Sequence, residues 1–285
     1  MNTTHHPSLE AANEATPGQR YLARPGGRVA YDLAGDGPLV VLVPGMGDLR
    51  STFRFLAPAL REAGNRVACT DLRGHGDSDS TFTSYGDAEA AGDIAALIEE
   101  LGGPAVVIGN SMGAGAAVLA AADHPALVRG LVLVGPFVRN GKMTAPQRVL
   151  LRLMMAPWWA ATSWKLYLPK LYAGQRPADF DEYRGRVVAS LRRPGYARAF
   201  SQTTRTDHAS AEARLADIGP PTLVVMGAQD PDFPDPKAEA DWIANVLRDA
   251  DVVMVPEAGH YPQSQQPEIT TDAVIHFLET VDEAG

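Results

Sequence analysis

The sequence holds a single cysteine, Cys69, among its 285 residues. No disulfide can therefore close within the chain, and the place of Cys69 at the end of the apolar stretch RVAC makes it a small core residue. No apolar run reaches the ~18 to 20 residues that a bilayer-spanning helix needs. The opening stretch, MNTTHHPSLEAANEATPGQR, lacks a basic region followed by an apolar one, so no secretory leader is read and a cytoplasmic protein is expected. Positive charge is also short: 25 Lys and Arg stand against 34 Asp and Glu, for a formal net charge of -9. Such a total carries no nucleic-acid footprint and argues against a uniformly cationic membrane protein. Repeats and low-complexity tracts are missing too. The polar composition of residues 1–16 predicts a flexible tail, with His5 and His6 belonging to it rather than to a metal site.

What the chain does have is core-forming material, 45% hydrophobic residues and 27 glycines, enough for one large α/β domain. Short Val/Leu/Ile runs bounded by Gly and Pro recur at LVVLVPG, RVACTD, AVVIGN, GLVLVGP, TLVVMG and DVVMVPE. Runs so apolar suit strands covered on both faces, hence a parallel sheet. Helical patterns lie between them, over 53–63, 87–101, 112–123, 237–248 and 267–281. At the front, GRVAYDLAGDGPLVVLV reads as two antiparallel strands joined through Gly35, Asp36 and Gly37. The alternation breaks once, where ~80 residues separate two strands, far beyond an ordinary connection. The expected organisation is therefore a core of residues 17–136 and 218–285, with residues 137–217 inserted as a helical lid.

One knot of the sequence carries chemistry. In GNSMG, Gly109 and Gly113 flank Ser111 between an apolar strand and an Ala-rich helix, the G-x-S-x-G pattern of a nucleophile elbow. A turn that sharp strains the serine and leaves no room for side chains on either flank, and it sets the hydroxyl at a helix N-terminus. A neutral hydroxyl needs a base. Of seven histidines, His260 lies just past the last strand, at the carboxyl edge where α/β sheets bind ligands. By contrast, His124 ends a helix, His276 lies within one, His208 falls in the insertion, and His75 is read as bracing its loop. Asp230 stands at the end of the penultimate strand to orient the imidazole; Asp232 and Asp235 are read as shaping a Pro-rich loop. With His260 as base, kcat/KM is expected to rise through ~6 to 7. Met112 and Met46 are expected to give the backbone N–H pair of an oxyanion hole, and Asp48 is read as a surface helix cap. Neither PGMGD nor GNSMGAG completes a phosphate loop, and no metal or organic cofactor is implied.

From YDLAGDGPLVVLVPG through DLRGHGDSD, GNSMG, LVLVGPF and MGAQD to Gly259 and His260, the chain resembles the α/β-hydrolase superfamily over nearly its whole length. The resemblance implies a mostly parallel sheet flanked by helices, a helical cap, and a triad in the order Ser111, Asp230, His260. GNSMGAG looks like the elbow of meta-cleavage-product C–C hydrolases, and a methionine after the serine also recurs in cofactor-free haloperoxidases and esterases. Departures narrow this. Pro44-Gly45 stands where many relatives have His-Gly, the longer Gly-rich loop of C–C hydrolases is missing, and Ser111 in place of aspartate speaks against epoxide hydrolase and haloalkane dehalogenase chemistry.

The insertion is aromatic and basic. Half of the chain's twenty aromatics lie between Phe137 and Phe200, and residues 137–217 hold 14 Lys and Arg against 6 Asp and Glu. Phe137, Trp158, Trp159 and Trp164, with Tyr261, are expected to line an apolar pocket. The basic excess is read first as a solvated face, then as attraction for an acidic substrate, an acidic carrier protein or an anionic membrane surface. The reading reached is a serine hydrolase of a carboxylic ester or related acyl compound, acting through an acyl-enzyme on a small apolar substrate. C–C bond hydrolysis, thioester hydrolysis and lactone chemistry are its rivals within enzymes; a ligand receptor that kept the fold is the alternative outside them.

Overall fold

The computed structural model describes residues 18–141 and 144–284, so the expected tail at 1–16 lies outside the described residues. Eight strands form one sheet: β1 (Gln19–Arg24), β2 (Gly27–Ala34), β3 (Leu39–Val43), β4 (Arg66–Thr70), β5 (Ala105–Asn110), β6 (Val128–Val134), β7 (Thr222–Gly227) and β8 (Ala250–Val255). Their order is β1-β2-β4-β3-β5-β6-β7-β8. From β4 to β8 all neighbours run parallel; β2 alone runs against the rest, being antiparallel to both β1 and β4. The central strands β3, β5 and β7 are buried at every residue, as their unbroken apolar runs require when helices cover both faces.

On one face lie α2 (Asp87–Leu101), α3 (Met112–Asp123) and α9 (Pro236–Val246); on the other lie α1 (Leu56–Glu62) and the C-terminal helix α11 (Pro267–Ala284). Between β6 and β7 come α4 (Ala145–Met154), α5 (Ala160–Leu171), α6 (Phe180–Leu191), α7 (Tyr196–Thr203) and α8 (Ala209–Arg214); a short α10 (Pro262–Gln265) follows His260. The inserted helices have a core of their own, built from Trp164, Leu168, Tyr172, Phe180, Tyr183 and Phe200, and Tyr261 of the sheet domain joins it. Arg54 clamps Asp179 at 2.6 Å, Tyr196 donates to the Ser78 carbonyl at 3.0 Å, and His208 meets Asp87 at 2.7 Å, so polar ties pin the insertion to the sheet domain.

One expectation changes. The strands joined through Gly35 and Gly37 are not neighbours: β2 pairs with β1 and β4, and β3 lies beyond β4. A Cβ on Gly35 would stand 2.2 Å from the Asn65 carbonyl oxygen and one on Gly37 1.7 Å from that of Gly64. These glycines therefore let the connection pass tightly over the turn that leads into β4, where a hairpin reading sees only a reversal. The crossover places β4 and β5 on opposite sides of β3. The loops at the carboxyl ends of β3 and β5 therefore lead to helices on opposite faces of the sheet, the kind of place where open α/β sheets bind ligands.

Candidate active site

Ser111 fills the one-residue gap between β5 and α3 with φ 57° and ψ -123°. Such a conformation is costly for a side chain with a Cβ and persists only where the surroundings enforce it. They do so by close contact: a Cβ at Gly109 would stand 2.3 Å from the Gly113 carbonyl oxygen, and one at Gly113 would stand 2.5 Å from that of Val43. A Cβ at Gly45 would come within 2.7 Å of the Ser111 Cβ, so the loop after β3 runs directly against the serine. The Ser111 N–H is held by the Val134 carbonyl at 2.9 Å, and its own carbonyl accepts from Phe137 at 3.2 Å.

His260 is 2% exposed in the loop after β8, with its Nδ1 2.7 Å from Asp230 Oδ2, itself buried. Asp232 lies farther off, its nearer oxygen 3.8 Å from Nδ1. Its other oxygen accepts from the Tyr167 hydroxyl at 2.8 Å, while its N–H donates to Asp230 Oδ1 at 3.0 Å. Burial works against a charged imidazole here, but the Asp230 charge and hydrogen bond, reinforced by Asp232 and Asp48, outweigh it and push His260 up to about 9. Asp232 is raised by its own burial. Asn110 ties the serine and histidine segments together: its Nδ2 donates to the Val134 carbonyl at 3.0 Å and to the His260 carbonyl at 3.3 Å. Asp230, Asp232 and His260 bring three ligand atoms within 4.8 Å of one another, the one group among the described residues that could hold a cation.

The loop after β3 is fixed from the insertion. Trp164 Nε1 donates to the Gly47 carbonyl at 2.8 Å, and the Tyr183 hydroxyl donates to Asp48. Asp48 is not a surface cap: it is 1% exposed, and burial, opposed by the Tyr183 and Leu49 hydrogen bonds, pushes its carboxyl up to about 6. Between these anchors and Ser111 lies Met46, whose N–H meets no protein acceptor among the described residues. Met112 opens α3, so its N–H has no intrahelical partner.

Phe137 and Tyr261 flank the imidazole, with ring centroids 5.6 and 5.2 Å from it. Trp164 is buried against Phe200 over Gly47. Trp158 and Trp159 are otherwise placed than in a pocket roof: they are 74% and 45% exposed, because the turn before α5 carries them outward while Met155 and Ala156 turn in. His75 is buried with Nδ1 on the Arg73 carbonyl at 2.8 Å; burial pushes it down to about 4, so it braces its loop as a neutral ring. Asp235 caps α9 through the Ala238 N–H. Nothing in the sequence pattern marks Tyr167, Tyr183 or Asn110 as partners of the site. The tyrosines' partners lie 65 and 135 residues away, beyond any local pattern, and Asn110, though it stands inside the GNSMG motif, reaches a carbonyl 150 residues on.

Sheet order, elbow and the carboxylate-imidazole pair together define a hydrolase of the α/β kind, and comparison with known proteins agrees. The chain belongs to the alpha/beta hydrolase family, whose model matches residues 40–273. It is 31% identical to 2-(acetamidomethylene)succinate hydrolase of Mesorhizobium japonicum over 267 residues, 89% of this chain and 93% of that one. It is 29% identical to pimeloyl-[acyl-carrier protein] methyl ester esterase of Neisseria meningitidis serogroup A over 247 residues, 85% of this chain and 77% of that protein. Among solved structures, a malate-bound thermophilic esterase from Thermogutta terrifontis superposes with a TM-score of 0.77 at 25% identity, covering 92% of this chain and 98% of its own.

Proposed function

We propose that this hydrolase is a serine enzyme that cleaves a carboxylic ester or related acyl compound through an acyl-enzyme. The observation that carries the reading is the strained Ser111 at the head of α3, linked through Asn110 to a buried His260 whose Nδ1 is engaged by Asp230. His260 Nε2 takes the Ser111 proton as Oγ attacks the acyl carbonyl; Asp230 holds Nδ1–H and stabilises the imidazolium. The Met46 and Met112 N–H groups receive the oxyanion. Collapse expels the alcohol, protonated by His260, and water then attacks the acyl-enzyme by the same route, returning the acid and free serine. Phe137, Trp164 and Tyr261 supply apolar walls, and residues 137–217 act as a cap over the serine. Acyl transfer covers both the ester named for the Neisseria relative and the acetamido compound named for the Mesorhizobium one.

Ser111→Ala should leave the fold intact and lower kcat on an ester substrate by ~10³ or more. The wild type alone should be labelled by a fluorophosphonate. A folded Ser111→Ala protein with wild-type turnover ends the proposal.

A further inference from the structure

Helix α4 carries apolar side chains on two opposite sides. At about 100° per residue, Leu151 and Met155 face the insertion's core, where Met155 is 3% exposed. Val149, Leu150, Leu153 and Met154 fall on the far side, each between 43% and 57% exposed. Arg148 and Arg152 occupy the flank between them. A Thr144–Gln147 capping box fixes where the helix begins. At its other end Trp159 Nε1 donates to the Leu153 carbonyl at 2.5 Å and stacks edge-on to Trp158, so the outward apolar surface continues into an indole that is 74% exposed.

The stretch of chain that carries this surface has charge of one sign. Residues 124–178 contain eight Lys and Arg and not one Asp or Glu, in a chain whose total is -9. We infer that the outer face of α4, with Trp158, docks on an anionic phospholipid bilayer. Indole rings and aliphatic side chains enter the boundary between headgroups and acyl chains without a shaped partner, while the flanking arginines meet lipid phosphates. An acidic protein would answer the arginines but would need a matched groove for four aliphatic side chains and an indole. Docking so would set α5, which begins just after the Trp158–Trp159 turn and carries the Trp164 anchor on Gly47, between the lipid and the candidate active site.

The test is co-sedimentation of the full chain with vesicles of phosphatidylglycerol mixed with phosphatidylcholine, against phosphatidylcholine alone, at low and high salt. Binding should require the anionic lipid and weaken with salt. The double variant Leu150→Gln/Leu153→Gln should bind about tenfold more weakly or worse, with an unchanged thermal melting temperature, and Trp158→Ser should weaken binding in the same direction. Absence of binding by the wild type, or equal binding by the variants, overturns the inference. So does a dimer seen by light scattering that the double variant dissolves without any vesicle binding, or an acidic acyl carrier protein that binds this face while vesicles do not.

Discussion

At the scale of single residues, the informative contrast is between two aspartates two positions apart. Asp230 meets His260 at 2.7 Å, whereas Asp232 spends one oxygen on Tyr167 and keeps the other 3.8 Å away. Asp230→Asn should therefore lower kcat by orders of magnitude and Asp232→Asn by much less, as steady-state rates on one ester will report; the reverse order would make Asp232 the orienting acid. The same carboxylates hold the imidazole's proton. The proposed base, His260, must be neutral to accept a proton, and its pKa is pushed above its usual 6.5 to about 9, so kcat/KM should climb with pH above neutrality, later than a free imidazole implies. Asp48 contributes to that rise, so Asp48→Asn should move the climb to lower pH, while an unmoved profile would detach Asp48 from the imidazole. The linkage to stability has the matching sign: a raised folded pKa gives stability that is complete below 6.5 and lost as pH rises through about 9.

At the scale of elements, the connection after β3 is positioned by what leans on it. Trp164 from α5 holds the Gly47 carbonyl, Tyr183 from α6 holds Asp48, and Gly47 itself has φ +71° with the Trp164 and Phe200 rings where a Cβ would be. Trp164→Phe keeps most of the ring and deletes the donor. Loss of one buried hydrogen bond costs about 1 kcal/mol, a modest drop in melting temperature. If the loop's N–H groups serve an oxyanion, kcat should fall more than KM rises, and a change in KM alone would confine Trp164 to substrate contact.

For the molecule as a whole, the insertion and the sheet domain differ in both composition and charge, and the candidate site lies where they meet. If the aromatic rings beside His260 wall the acyl group of the proposed ester substrate, each buried methylene is worth about 0.8 kcal/mol, so kcat/KM should rise several-fold per carbon along an ester series until the space is filled. Acetate esters outperforming butyrate and hexanoate would remove the apolar-pocket idea. Among the described residues no helix is long and apolar enough to cross a membrane.

Much of this was readable from the order of residues, because parallel strands buried on both faces write continuous Val/Leu/Ile runs and an elbow writes glycines where backbones touch. Helices over Asp87–Leu101 and Met112–Asp123 and strands over Ala105–Asn110 and Thr222–Gly227 lie where their local patterns put them, and the family could be named from motifs. What local pattern cannot hold is the identity of neighbours brought from afar. That β2 sits beside β4 depends on the close passage of Gly35 and Gly37 over Gly64 and Asn65. That Asp48 is buried depends on a tyrosine 135 residues away, and Trp158 lies open while Trp164 is sealed because only the packed insertion decides which side of each helix faces inward. Composition records how much apolar surface a chain has; the tertiary contacts alone assign where it goes.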